Sequence, residues 1–276
     1  MKKRAKQIVL KTKKQIFGSL SGNNLSAFHG EGFEFAELRE YTYGDDVRKI
    51  DWKTTAKLGG KPFVKVYHEE RELNVVVSTL LSGSTFFGTH MPKSEFMVEI
   101  MSLLGFGAIR NKDLFSHILY ADKLYRYSKP SKKIFAVTKE VDESIEFDVI
   151  GKAANIEGWI EELNKRVRRK SLLILIGDFV GEYNLSLLAK KHDLVVIVVR
   201  DRFIENLKEM GEIRVVDPGY LTSFSGNLDS ESIEVYKEAL QENDARLFKH
   251  LKQVGARYVK IYTDQEPYLE LVKRMR

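Results

Sequence analysis

The chain of 276 residues contains no cysteine. That excludes disulfide staples, thiolate metal sites and cysteine nucleophiles together. It also has no apolar run near the roughly 18 residues that a membrane-spanning helix needs. The N-terminal stretch MKKRAKQIVLKTKK is basic, and its apolar part is only Ile8 to Leu10. A signal peptide requires an apolar region of about 7–15 residues. These absences read together as a cytoplasmic protein. The chain shows no internal repeat and no low-complexity tract. No basic strand interleaved with aromatics offers a stacking platform for single-stranded nucleic acid.

Hydrophobic residues make up 43% and charged residues 30% of the chain, a globular composition with enough apolar matter for a core. The net charge is +6, and much of the excess lies in the N-terminal stretch and in NKRVRRK, Asn164 to Lys170. Such patches meet nucleic acid, anionic lipid or an acidic protein, or they are simply solvated helix faces.

Residues 1–72 differ in texture from residues 73–276. A basic helix over Lys6 to Leu20 carries Val9, Ile16 and Leu20 on one side, and the Gly/Asn/Ser-rich GSLSGNN breaks it. DVRKIDWKTTAKLGG reads as a short helix, capped by Asp45 or Asp46 and ended by Gly59-Gly60. PFVKVYHEE alternates like a strand, with Phe63, Lys65 and Tyr67 facing one way and Val64 and Val66 the other.

From Leu73 onward, apolar strands alternate with helices. The spacing predicts strands at 73–80, 114–120, 172–177, 194–199, 213–216 and 257–262. Helices are expected at 92–110, 151–169, 182–191, 229–254 and 266–275. KLYRYSK suits an antiparallel edge strand. LLILIG and LVVIVV lack polar alternation, as strands covered on both faces do. The fold class is therefore α/β, with a doubly wound, mostly parallel sheet.

The first strand runs into LLSGSTFFG, Leu80 to Gly88, where doubly wound proteins place ligands. A phosphate loop needs a lysine after its second glycine, and Thr89 stands there. The hydrolase elbow G-x-S-x-G is absent as well, and no base is evident beside Ser84. Two further readings remain. Ser82 and Ser84 could join Asp178, at the end of LLILIGDF, as oxygen ligands suited to Mg²⁺ or Mn²⁺. Alternatively they form a capped helix start beside a turn aspartate.

REYTYGDDVRKIDW brings three aspartates and two arginines together. Arg39 and Arg48 can keep Asp45, Asp46 and Asp51 ionised through charge-assisted hydrogen bonds. The segment reads as a buried or half-buried ion network, a partner-contacting surface, or, less simply, a catalytic cluster. Trp52 reads as an anchor between the two parts of the chain, with its indole N–H bonded nearby. His29 and His68 lack zinc-ligand spacing.

GEGFEFAELREYTYGDDVRKIDWKTTAK followed by HEERELNVVVSTLLSGSTFFG resembles domain-of-unknown-function family 58. The match runs from about Gly22 to Gly88 and includes Glu34, Phe35, Arg39, Tyr41, Gly44, Asp45, Asp46, Arg48, Ile50, Asp51, Trp52 and Glu70. The resemblance implies a von Willebrand factor A-like, Rossmann-type domain at 73–276, with the basic helix and signature segment, 1–72, packed on it. It implies a metal-ion-dependent adhesion site of the form D-x-S-x-S plus a later aspartate. Ser82, Ser84 and Asp178 fill three of those positions, and Leu80 stands where the leading aspartate belongs. The site's usual threonine has no assigned position. The implied function is that of a non-enzymatic adaptor with a degenerate metal site, working with a MoxR-type AAA+ ATPase and its client. The alternatives are a metal-dependent hydrolase or transferase at the same strand ends, and nucleic-acid or membrane-surface binding through the basic patches.

Overall fold

The structure, a computed structural model, describes residues 3–18, 37–57, 61–66 and 72–274. The chain forms two compact units, Met1–Ala27 with Leu73–Arg276, and Phe28–Glu72.

The larger unit is built on a six-stranded sheet. Its strands are β3 (Asn74–Leu80), β4 (Leu114–Tyr120), β5 (Leu124–Tyr127), β6 (Leu172–Gly177), β7 (Asp193–Arg200) and β10 (Arg257–Tyr262). They lie in the order β5-β4-β3-β6-β7-β10. All neighbours are parallel except β5, which closes one edge antiparallel to β4. Taken in chain order this is the doubly wound 3-2-1-4-5-6 arrangement, which reverses direction between β3 and β6. The C-terminal ends of those two strands therefore define the switch-point crevice. Every residue of β6 is buried, which is why LLILIG carries no polar alternation.

Two helical layers cover the sheet. On one side α3 (Lys93–Arg110) is buried along nearly its whole length, because it is apolar all round and needs neighbours on every face. It packs between the sheet, α4 (Ile134–Ile145) and α1 (Lys3–Gly18). On the other side Trp159 and Leu163 of α5 (Ile156–Arg166), Leu188 of α6 (Ser186–Lys191), and Leu247 and Leu251 of α8 (Ser230–Gln253) join Val76, Leu80 and Leu173 in one core. Short α7 (Arg202–Glu205) follows β7, and α9 (Pro267–Arg274) follows β10.

Several elements differ from the sequence reading. The basic helix, grouped there with the signature segment, packs on α3 through Ala5, Ile8, Val9, Thr12 and Ile16. Thr12 Oγ1 and Ser102 Oγ share a buried 2.8 Å hydrogen bond. Its charge is partly spent on packing, through Arg4–Glu95 at 2.6 Å and Lys11–Glu99 at 2.5 Å. Residues 213–216 do not join the main sheet. They belong to β8 (Gly211–Val216), which pairs antiparallel with β9 (Ser223–Leu228) as a separate hairpin. Its turn is set by Asp217, whose carboxylate accepts from the backbone N–H of Gly219 at 2.7 Å and of Tyr220 at 3.2 Å, as an Asx turn does. Finally, α4 has no counterpart in the sequence reading. Its inward face, Val137, Glu140, Val141 and Ser144, mixes polar and apolar residues and so hides the helical stripe.

The smaller unit pairs β1 (Glu37–Glu40) antiparallel with β2 (Phe63–Val66). Asp46 caps a one-turn 3₁₀ helix at Val47–Lys49. Asp51 Oδ1 accepts from the N–H groups of Lys53 and Thr54, at 3.1 and 3.2 Å, and so opens α2 (Trp52–Lys57). The expected stop at Gly59-Gly60 lies outside the described residues.

Candidate binding site at the strand ends

Leu80 ends β3 pointing into the apolar core, fully buried beside Phe179 and Val76. The next residues turn at once. Ser82 opens a single 3₁₀ turn, Gly83–Thr85, and its carbonyl accepts from both the N–H and the hydroxyl of Thr85, at 2.9 and 2.7 Å. The buried Ser82 hydroxyl meets the exposed Ser84 hydroxyl at 2.9 Å. Gly83 is there for close approach. Its N–H donates to Lys152 O at 2.8 Å, and a Cβ on it would lie 2.2 Å from Gly219 N. The tip of the β8–β9 hairpin thus rests on the strand-end turn.

Asp178 follows β6 directly and faces this turn. Its carboxylate accepts from the Lys93 ammonium at 3.1 Å, and both side chains are only 5% exposed. Burial pushes the Asp178 pKa upward, but the charge of Lys93, the Ser84 hydroxyl and the charge of Arg200 together hold it below the ordinary value. Lys93 is the first residue of α3, where the helix dipole disfavours a cation. Asp178 offsets that penalty. Phe179 takes φ +50, rare for an aromatic residue. Asn243 of α8 clamps the turn, donating to Phe179 O at 3.0 Å and accepting from Gly181 N–H at 2.9 Å.

A second charged cluster lies one strand over. Arg200, at the end of β7, is 2% exposed and donates to Asp244 at 2.7 Å. Lys260 donates to the other Asp244 oxygen at 2.8 Å. Among the described residues, Arg200 Nε and Nη1 have no hydrogen-bond partner. The neighbouring Asp201 accepts from Thr89 N–H at 2.8 Å and from the Thr263 hydroxyl at 2.6 Å, tying the loop after β3 to the end of β7.

Ser82, Ser84 and Asp178 thus all lie at the ends of the neighbouring strands β3 and β6. The structure adds Lys93 and Arg200, which the sequence reading missed. Two signals were available: a lysine opening an otherwise apolar helix, and an arginine closing LVVIVVR. A hard divalent cation does not fit this donor set. The leading position is the apolar, buried Leu80, and Asp178 is already held by an ammonium. Among the described residues no three His, Asp or Glu side chains converge as a metal cage.

In the smaller unit Arg39 grips Asp45 with two nitrogens, at 2.7 and 2.6 Å. The N–H and hydroxyl of Thr42 donate to the same carboxylate, at 2.9 and 3.0 Å. Arg39 and Thr42 hold Asp45 well below the usual carboxylate range. Arg48 pairs with Asp46 at 3.1 Å. Trp52 is 67% exposed and finds no burial within this unit, because it opens a short helix that packs by Thr55. Glu34, Phe35, His29, Tyr67, His68 and Glu70 lie outside the described residues.

Residues 37–245 match the family described as "Protein of unknown function DUF58". The uncharacterized protein Rv1480 of Mycobacterium tuberculosis is 24% identical over 280 residues, which cover 96% of this chain and 85% of that protein. An uncharacterized protein of Mycobacterium avium is 21% identical over 128 residues, covering 45% of this chain and 76% of its own. Among solved structures, the conserved hypothetical protein BatB from Bacteroides thetaiotaomicron aligns with a TM-score of 0.46 at 11% identity, over 74% of this chain and 97% of that one.

Proposed function

The chain belongs to the DUF58 family, and on that footing we propose that it is a non-enzymatic binding or adaptor protein whose contact surface is the set of loops at the C-terminal ends of the central strands. One observation carries the reading. A buried, internally neutralised Lys93–Asp178 pair sits at the switch point, and exposed apolar side chains surround it. Phe86 and Val180 extend from the turns that hold Ser84 and Asp178. Tyr220 and Leu221, 70% and 62% exposed, sit at the hairpin tip seated on Gly83. Large apolar anchors around a settled polar centre suit a protein interface. Hydrolysis at the same place is disfavoured by chemistry. The neighbour of Ser82 is another hydroxyl, and the nearby carboxylate is engaged by Lys93, which leaves no evident base for either serine.

The partner in this proposal is a MoxR-type AAA+ ATPase, together with the client it assembles or activates, and the setting is the cytoplasm. The warrant for that partner is the family resemblance of the signature segment. Among the described residues no helix is long and apolar enough to cross a membrane.

The test is direct binding between the purified chain and a MoxR-type ATPase from the same genome, by biolayer interferometry with and without ATP and Mg²⁺. Binding by the wild-type chain that weakens about thirty-fold in Phe86→Ser/Tyr220→Ser is the expected result, the size of a lost pair of anchors. No binding by a folded wild-type chain, or equal binding by the variant, sinks the proposal.

A further inference from the structure

We propose that Lys93 is a built-in cation standing in for the divalent metal of the strand-end site, so that this chain operates there without any metal ion. Charge balance carries the argument. A complete D-x-S-x-S site with its later aspartate sets two carboxylates against one doubly charged ion. This chain has Leu80 in the leading place, fully buried in the core, and so retains one carboxylate, Asp178. Against it stands one singly charged ammonium, 3.1 Å from Oδ2. One carboxylate and one charge have been removed from opposite sides of the balance, and the Lys93–Asp178 pair is itself neutral.

Burial makes the substitution exclusive. Both members of the pair are only 5% exposed, so a second cation on Asp178 would face the Lys93 charge with little water between them. Mg²⁺ also demands octahedral oxygen ligands at about 2.1 Å. The hydroxyls here meet each other instead, Ser82 and Ser84 at 2.9 Å. The position of Lys93 points the same way. It opens α3, where the dipole repels cations, and its ammonium donates to Asp178. Restoring the leading aspartate alone therefore does not restore metal binding, because the ammonium still holds Asp178.

This inference rests on the proposed function only in taking the strand ends as the working site. Its experiment uses the isolated chain, so the two fail separately. Mn²⁺ is titrated into wild type, Leu80→Asp and Leu80→Asp/Lys93→Ser, with free Mn²⁺ read by electron paramagnetic resonance. Thermal melts are recorded in Mn²⁺ and in EDTA. The expected result is no saturable binding by wild type, and a melting temperature unchanged by either addition. Leu80→Asp/Lys93→Ser binds at least about ten-fold more tightly than Leu80→Asp, the scale on which neighbours of metal ligands act, and Mn²⁺ raises its melting temperature. Saturable Mn²⁺ binding by wild type that Ser84→Ala abolishes overturns the proposal. So does a folded double variant that binds no better than Leu80→Asp. Should the double variant not fold, Leu80→Asp/Lys93→Gln, which leaves a longer uncharged side chain than serine, is held to the same two outcomes.

Discussion

Two cation–carboxylate pairs in this molecule use the same chemistry in opposite surroundings. Arg39 and Asp45 are six residues apart, on a surface turn of the smaller unit, with the arginine side chain 42% exposed. Lys93 and Asp178 are 85 residues apart and nearly sealed from water in the larger one. The first pair is short and bidentate, yet water and salt compete with it, and surface pairs contribute little. The second is a single longer contact whose members have nowhere else to go. Geometry alone would rank the exposed pair higher. Burial reverses the order, since breaking a sealed pair strands a charge.

The largest effect expected from this contrast is at Lys93. Lys93→Ala leaves Asp178 ionised and buried without its cation, and should lower unfolding free energy in urea by about 3–5 kcal/mol. Lys93→Met/Asp178→Asn, which removes both charges while keeping volume, should recover most of that loss. If the double variant is as unstable as the single, the contact matters for packing rather than charge.

Next comes the seat of the hairpin on the strand-end turn. Gly83→Ala places a methyl 2.2 Å from the Gly219 backbone nitrogen, and backbone cannot swing aside as a side chain can. A loss of about 1–3 kcal/mol is expected from such overpacking, with faster hydrogen exchange over residues 217–222. An unchanged exchange pattern would show that the turn and hairpin separate without penalty.

Acid separates the two pairs further. Asp178 and Asp45 both have folded pKa values depressed below the ordinary carboxylate range. Depressed carboxylates add stability that is fully present above the unfolded pKa and is lost as pH falls through the folded one. Melting temperature should therefore fall below about pH 4. In high salt the share owed to Asp45 should vanish, while the share owed to Asp178 persists, because a sealed pair is little screened. Lys93→Met/Asp178→Asn should abolish that persistent share. Equal salt sensitivity in wild type and the double variant would remove the distinction between the pairs.

The same contrast explains what could be read in the sequence. The sheet was legible: β4, β6 and β10 match their expected bounds, and β5 is the antiparallel edge that KLYRYSK suggested. Buried parallel strands announce themselves as unbroken apolar runs. Ser82, Ser84 and Asp178 were picked out by the strand-end pattern and the family resemblance. Lys93 was not. Its partner lies on another strand, and only the crossover from β3 to β6 brings the two together. Residues 213–216 misled for the converse reason. A β-branched run forms a strand in a sheet or in a lone hairpin alike, and the Asp217–Gly219 turn decides between them. Trp52 reads as an anchor by residue type alone, and its own six-residue helix, which packs by Thr55, does not bear on that reading.

The smallest effect belongs to the signature turn, and it closes the comparison from the other side. Arg39→Gln removes a bidentate partner from Asp45, while Thr42 still donates to that carboxylate through both N–H and hydroxyl. The turn should therefore persist, with a drop in melting temperature visible at low salt and lost at high salt. Arg48→Gln should do less still. The Arg48 side chain is 89% exposed, and Asp46 keeps its cap through the backbone N–H of residue 48, at 3.0 Å. A large, salt-independent loss in either variant would mean that the signature pair is as sealed as the pair at the strand ends, and that exposure is the wrong measure for ranking them.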